Sequence, residues 1–170
     1  MRYRLVAVMV VLLSMISSVC WAAIPRSELA VGGVTIGASI NDVQRIYGAP
    51  TKSKYEDFSM WGGQTRFYTY YYGNGSYSVT TTNGLGVVGV TTTANNGIGT
   101  PAGIKVGMSS GRLAMVYGEV NYIWDDNNGD KVFVYYENVN AKAVEPDSLQ
   151  FTVKNDRIIK ISLVAGILSI

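Results

Sequence analysis

The chain has 170 residues, with 14 basic and 12 acidic side chains, one cysteine and no histidine. Without histidine it can build neither a Ser-His nor a Cys-His nucleophile pair, and it lacks the commonest metal ligand. The charges are mixed evenly, which removes the basic footprint of a nucleic-acid binder, and the length suits one buried core.

Arg2 and Arg4 precede an apolar run from Leu5 to Ile16, followed by small residues and Val19-Cys20-Trp21-Ala22-Ala23. That is the layout of a secretory signal peptide over residues 1–22, cleaved after Ala22. An uncleaved anchor is disfavoured because the run falls short of the roughly 20 residues that span a bilayer. Lipidation at Cys20 is disfavoured because Ser17-Ser18-Val19 lacks the usual Leu and the small residue before the cysteine. Cleavage would remove Arg2, Arg4 and Cys20, leaving a secreted or periplasmic chain with no disulfide, no net charge and no stable membrane span.

Residues 23–32 read as a leader in which Pro25 discourages regular structure, expected to be mobile or to lie along the domain edge. Val34 to Ile36 is a brief apolar approach. Ser39 is a helix N-cap, Asp42 completes a capping box, and Ile40, Val43 and Tyr47 share one helical face. Gly48 and Pro50 stop the helix, which therefore covers Ile40 to Tyr47. Alternation follows, with strands at Lys52 to Phe58, Arg66 to Tyr72, Ser76 to Thr82 and Val87 to Thr93, broken at Gly73-Asn74-Gly75 and Asn83-Gly84. Residues 94–102, rich in Asn and Gly, form a linker.

The same order then recurs. Gly33 matches Gly103, Gly37 matches Gly107, Ser39 matches Ser109, Val43 matches Leu113, and Tyr47-Gly48 matches Tyr117-Gly118, all at one offset. A second helix capped by Ser109 and ending at Gly118 leads to strands at Asn121 to Trp124, Lys131 to Tyr136, Leu149 to Val153 and Arg157 to Leu163, with a turn at Asn155-Asp156. The fold class is therefore α+β: two tandem repeats, 33–93 and 103–163, each a short helix followed by an antiparallel β-meander, with the helices packed on one sheet face. Residues 164–170 form an apolar tail, read as a strand extension or a cover for a sheet edge.

The segments Ile36-Gly37-Ala38-Ser39 to Tyr47-Gly48-Ala49-Pro50 and Val106-Gly107-Met108-Ser109 to Tyr117-Gly118 resemble the β-lactamase inhibitory protein fold. They are also similar to the SmpA/OmlA (BamE-like) outer-membrane assembly lipoproteins. The resemblance covers about Gly33 to Leu163 and implies a helix layer on one face of a sheet whose other face is free to bind protein. The inhibitors carry disulfides and this mature chain has no cysteine, so β-lactamase inhibition itself is not carried over.

Alternation divides the strands into faces. Phe67, Thr69 and Tyr71 lie opposite Arg66, Tyr68, Tyr70 and Tyr72, while Val132, Val134 and Tyr136 lie opposite Lys131, Phe133 and Tyr135. Taking the valine set as helix-facing core leaves Tyr68, Tyr70, Tyr72, Phe133 and Tyr135, with Arg66 and Lys131 at the ends, as an outward partner-binding face. The plainer reading is that these rings stabilise cross-strand pairs. Trp61 and Trp124 would either frame that face or plug the core. The acid pairs Glu56-Asp57 and Asp125-Asp126 read as solvated turn residues rather than a catalytic dyad. The run from Asp125 to Asp130 fits a hairpin turn better than a calcium loop, because Trp124 falls where the first ligand belongs.

These features together predict an exported, non-enzymatic protein-binding module without cofactor or metal, in the manner of an inhibitor or envelope assembly factor. Its partner would be another exported or envelope protein. Cell-wall glycan stacked on the same aromatics is the alternative.

Overall fold

The computed structural model describes residues 23–60, 63–137 and 146–168. The signal peptide expected at residues 1–22 and the expectation for Trp61 lie outside the described residues. Strands β1 (Ala30–Val31) and β2 (Val34–Thr35) make a small hairpin that leads into helix α1 (Ile40–Tyr47). Strands β3 (Lys52–Met60), β4 (Gly63–Tyr72), β5 (Tyr77–Thr82) and β6 (Gly86–Thr92) come next. Helix α2 (Gly111–Tyr117) opens the second half and precedes β7 (Tyr122–Asp125), β8 (Lys131–Tyr136), β9 (Ser148–Lys154) and β10 (Arg157–Val164).

Strands β3 to β10 form one antiparallel sheet of eight, in the order β3-β4-β5-β6-β10-β9-β8-β7. Each group of four is a meander, and the two meet through their last strands, with Thr92 opposite Ile161 and Val90 opposite Leu163. The fold is thus α+β, an antiparallel sheet with short helices. Val43 of α1 and Leu113 and Tyr117 of α2 enter one core with Val79, Val90, Leu149, Phe151, Ile161 and Leu163, which places both helices on the same sheet face.

Local chemistry fixes α1 where the sequence puts it. Ser39 and Asp42 make the full capping box, each backbone N–H bonded at 3.2 Å to the other's side chain. Gly48 ends the helix at φ +75°, its N–H donated to the Gln44 carbonyl at 2.8 Å. Helix α2 begins differently from the expectation. Its N-cap is Ser110 rather than Ser109, with no side-chain cap and with Leu113 at the position where a capping box needs an acid. Instead the Ser109 hydroxyl donates to Asp156 at 2.9 Å, and the Ser110 hydroxyl donates to the other carboxylate oxygen.

The two serine hydroxyls, Ser110 first, hold the Asp156 carboxyl below the usual carboxylate range. A depressed folded value means that the contact stabilises fully above the unfolded pKa of about 3.9 and fades as pH falls through the folded one. Asp156→Asn keeps a residue that tolerates the local φ of +59° while removing the charge. The variant should melt below the parent at neutral pH, and thermal melts should converge in acid. A gap that stays constant with pH would rule out the Asp156 contact as its source.

The leader and linker are built into the core, contrary to the expectation of a mobile or edge-lying leader. Ile24, Leu29 and Val31 are buried, and β1 lies against β6 and β10 at the middle of the sheet. Tyr77 donates its hydroxyl to the Val31 carbonyl at 3.1 Å, and Tyr47 donates to Gly32 at 2.6 Å. Pro25, expected to discourage regular structure, instead caps a short 3-10 helix, Arg26–Glu28, because its fixed φ suits the start of a helical turn, and Leu29 and Val31 beyond it are buried. In the linker, Gly99 accepts from the Gly32 N–H at 2.8 Å, and the buried Thr100 hydroxyl pairs with that of Tyr117 at 2.6 Å. Of the two readings of the tail, the described residues 164–168 support the strand extension, at the middle of the sheet rather than at an edge. Val164 closes the central strand β10, and Ala165 donates to the Val88 carbonyl at 2.9 Å.

Matched glycines pin the loop before each helix to the fourth strand of its half. Gly37 at φ +80° donates to the Val87 carbonyl at 2.8 Å, and Val87 donates back to Ala38 at 2.9 Å. Gly107 at φ +91° donates to Ile158 at 2.8 Å, and Ile158 donates back to Met108 at 2.9 Å.

Candidate binding face

The structure inverts the face assignment made from the sequence. All seven residues expected to face outward lie on the helix side. Tyr72 is 5% and Tyr135 1% exposed, and Tyr70 and Phe133 are half-buried against the same core. Their rings fill the gap between helix and sheet: Tyr47 of α1 sits 5.6 Å from Tyr72 and 4.6 Å from Tyr77, and Tyr117 of α2 sits 5.3 Å from Tyr135 and 5.7 Å from Phe151. Burial raises the Tyr135 hydroxyl to about 12.

Three of the seven stay accessible at the margins without forming a common surface. Tyr68 is half-buried beside exposed Tyr55, with ring centroids 6.3 Å apart. Arg66 lies 4.5 Å over the Tyr55 ring and binds both oxygens of Asp57, at 2.6 and 2.8 Å. Lys131, at the far side of the sheet, pairs with Asp125 at 2.7 Å. Both cations are therefore neutralised within their own hairpins.

The physical reason for the inversion is that β4 and β8 are apolar on both faces. Val132 and Val134, the supposed core set, are 2% exposed although they point away from the helices, flanked by their cross-strand partners Trp124 and Tyr122. The neighbouring strands held the missing signal. In β5 and β9, polar Ser78, Thr80, Gln150 and Thr152 alternate with apolar Tyr77, Val79, Leu149, Phe151 and Val153, and register carries that polarity across to β4 and β8.

The face away from the helices is thus the other one, accessible over β3 to β6 and at β7 but closed over β8 and β9, where Val132, Val134, Ser148 and Thr152 are at most 2% exposed. One cross-strand row runs over all eight strands: Lys52, Tyr71, Ser78, Thr91, Ser162, Gln150, Val134 and Tyr122. A parallel row holds Lys54, Thr69, Thr80, Gly89, Val164, Ser148 and Tyr136. Hydroxyls pair along these rows, Thr91 with Ser162 at 3.1 Å and Thr69 with Thr80 at 3.2 Å. Aromatic rings stand at both margins. Phe58 of β3, 48% exposed, meets Phe67 edge-on at 5.5 Å, while Tyr122 and Trp124 of β7 are 57% and 41% exposed. Trp124 therefore frames a face and does not plug the core. At one corner Phe67, Val88 and Ala165 make a small second cluster.

The acidic residues weighed for catalysis are tied up in pairs and turns. Glu56 binds Lys54 at 2.8 Å, and Arg66 holds the Asp57 carboxyl below its usual range, so it stays ionised. Asp126 accepts from the backbone N–H groups of Asn128 at 2.8 Å and Asp130 at 3.0 Å, which closes the β7–β8 turn and lowers its pKa. Among the described residues no group of three or more acidic or cysteine side chains is placed to hold a metal ion. An open cleft of about 470 Å³ at the base of the β3–β4 hairpin is lined by Asp57, Gln64, Thr65, Arg66 and Asn83 and holds no nucleophile paired with a base.

No protein-family model and no curated protein matches the chain. Among solved structures, an extracellular protein containing a SCP domain from Bacillus anthracis is similar over 78% of this chain, at 11% identity and a TM-score of 0.47. The matched part is 44% of that protein, so this chain spans less than half its length. The uncharacterized protein YfeY from Escherichia coli is similar over 83% of this chain and 99% of its own, at 15% identity and a TM-score of 0.47. Among the described residues no helix is long and apolar enough to cross a membrane.

Proposed function

We propose that this chain is an exported, non-enzymatic binding module that holds another exported or envelope protein against its open sheet face. The observation that carries the reading is the polar stretch Lys52, Tyr71, Ser78 and Thr91 on the side away from the helices, which stays accessible, with exposed aromatics at the margins of the sheet. Tyr and Trp bury a large area at little conformational cost, and the hydroxyl and amide groups between them supply hydrogen bonds. Tyr71, Tyr122 and Trp124 replace the earlier residue set as the contact residues. The signal-like sequence before Ala23 supports export, and the absence of histidine supports a role without acid–base catalysis.

We further propose that the halves, residues 33–93 and 103–163, are tandem copies of one unit of the β-lactamase inhibitory type. The matched helix-then-four-strand order and the matched glycine pins support this. A second reading, binding of cell-wall glycan, is favoured by the hydroxyl-rich floor between aromatic platforms.

The test is a pull-down from envelope and culture-medium extracts, comparing the mature protein with a folded Tyr71→Ala/Tyr122→Ala/Trp124→Ala variant. A protein retained by the parent and lost by the variant is the expected result. If the same proteins come down with both, the open face is not the contact surface. Retention on isolated wall material stripped of protein, lost in the variant, would replace the protein partner with glycan.

A further inference from the structure

The sheet has two edges, and they are built differently. Edge strand β3 carries charge along its length, with Lys54 paired to Glu56 and Asp57 paired to Arg66, so an approaching strand would have to disrupt ion pairs. The other edge, β7, is apolar and exposed on both faces: Tyr122 and Trp124 point to the open side, and Ile123, 43% exposed, to the helix side. Its one acid, Asp125, is engaged by Lys131 within the hairpin.

The order of residues along this edge selects its occupant. From Asn121 to Asp125 the chain reads polar, aromatic, aliphatic, aromatic, polar, the same sequence of chemistries from either end. We propose that β7 pairs antiparallel with β7 of a second copy about a two-fold axis through Ile123. A two-fold perpendicular to the sheet keeps each face on its own side, so directly opposed residues must share a face. Centring on Ile123 meets that rule. Ile123 then faces its own counterpart on the helix side, and Tyr122 faces Trp124 twice on the open side, a favourable aromatic cross-strand pairing. Moving the axis by one residue, onto Tyr122 or Trp124, keeps the faces but sets Ile123 against Asn121 or Asp125, so the centre at Ile123 is the one that matches apolar with apolar throughout. An unrelated strand would need the same alternation by coincidence. The two open faces then become one continuous surface, twice as long.

Four residues per strand make a short seam, of the size that gives weak, concentration-dependent association. The experiment is sedimentation velocity over a wide concentration range, together with mild oxidation of Ile123→Cys in a Cys20→Ser background. A reversible dimer is expected, with a covalent dimer from Ile123→Cys and none from Lys54→Cys on the opposite edge. Ile123→Lys places two ammonium groups face to face and should weaken association at least about tenfold with its melting unchanged. If Ile123→Lys fails to fold, the cysteine variants decide alone. A monomer at every concentration, or a dimer that Ile123→Cys does not trap, overturns the proposal.

Discussion

Replacing Tyr135 by alanine is expected to lower the stability of the protein by about 3–5 kcal/mol, the range for removing a large ring from a packed core. The residue is 1% exposed, with its ring 5.3 Å from Tyr117 and 5.9 Å from Phe151, so truncation opens space that neither neighbour can fill. Tyr122→Ala is the counterpart on the exposed surface. With 57% of its surface accessible it should alter stability by no more than about 0.5 kcal/mol while weakening partner capture. Denaturant unfolding of the two variants separates them. Equal midpoints for Tyr135→Ala and the parent would mean that the helix-side core is wrongly placed, and with it the identity of the open face.

Gly86→Ala should be nearly as damaging, at roughly 2–5 kcal/mol, from a left-handed backbone penalty plus overpacking. Gly86 sits at φ +71°, and a Cβ there would come within 2.7 Å of the Ala38 carbonyl oxygen and 2.8 Å of that of Gly37. Both are backbone atoms of the loop that the adjacent Val87 pins to the sheet, so neither can swing aside as a side chain would. Gly84→Ala is the matched control. Its φ is +87°, but nothing lies within 4 Å of the added carbon, so it should show the backbone penalty alone, about 1–2 kcal/mol. Thermal melts of the pair give the cost of the close approach by difference, and identical melts would exclude it.

Much of the fold was legible because its signals are local. Ser39, Asp42 and Gly48 bound α1 by chemistry contained within a few residues of the chain, and the strand limits follow the turn residues Asn74, Gly84 and Asn155. Helix α2 was placed but its start was misread, since the partner of Ser109 and Ser110 is Asp156, distant in sequence. The leader is not legible from Pro25, which speaks only about local backbone, while the burial of Val31 depends on where β6 and β10 come together and that of Ile24 on its pairing with Tyr136 and Glu137 at the end of β8. The binding face failed for a related reason. Alternation within β4 or β8 divides residues into two sets but does not say which set faces the helices when both are apolar. That information sits in Ser78, Thr80, Gln150 and Thr152 on the neighbouring strands, and register is needed to transfer it.

The burial of β1 against β10 joins the first strand to the last. Each meander can pair within itself, but the middle of the core has nothing to close on until β10 exists. The contact has high sequence separation, so its loop-closure entropy must be met before the burial of Val31 compensates it. Were the chain exported unfolded, in keeping with the export proposed above, this dependence of the core on its last strand would keep the core from closing before passage was complete.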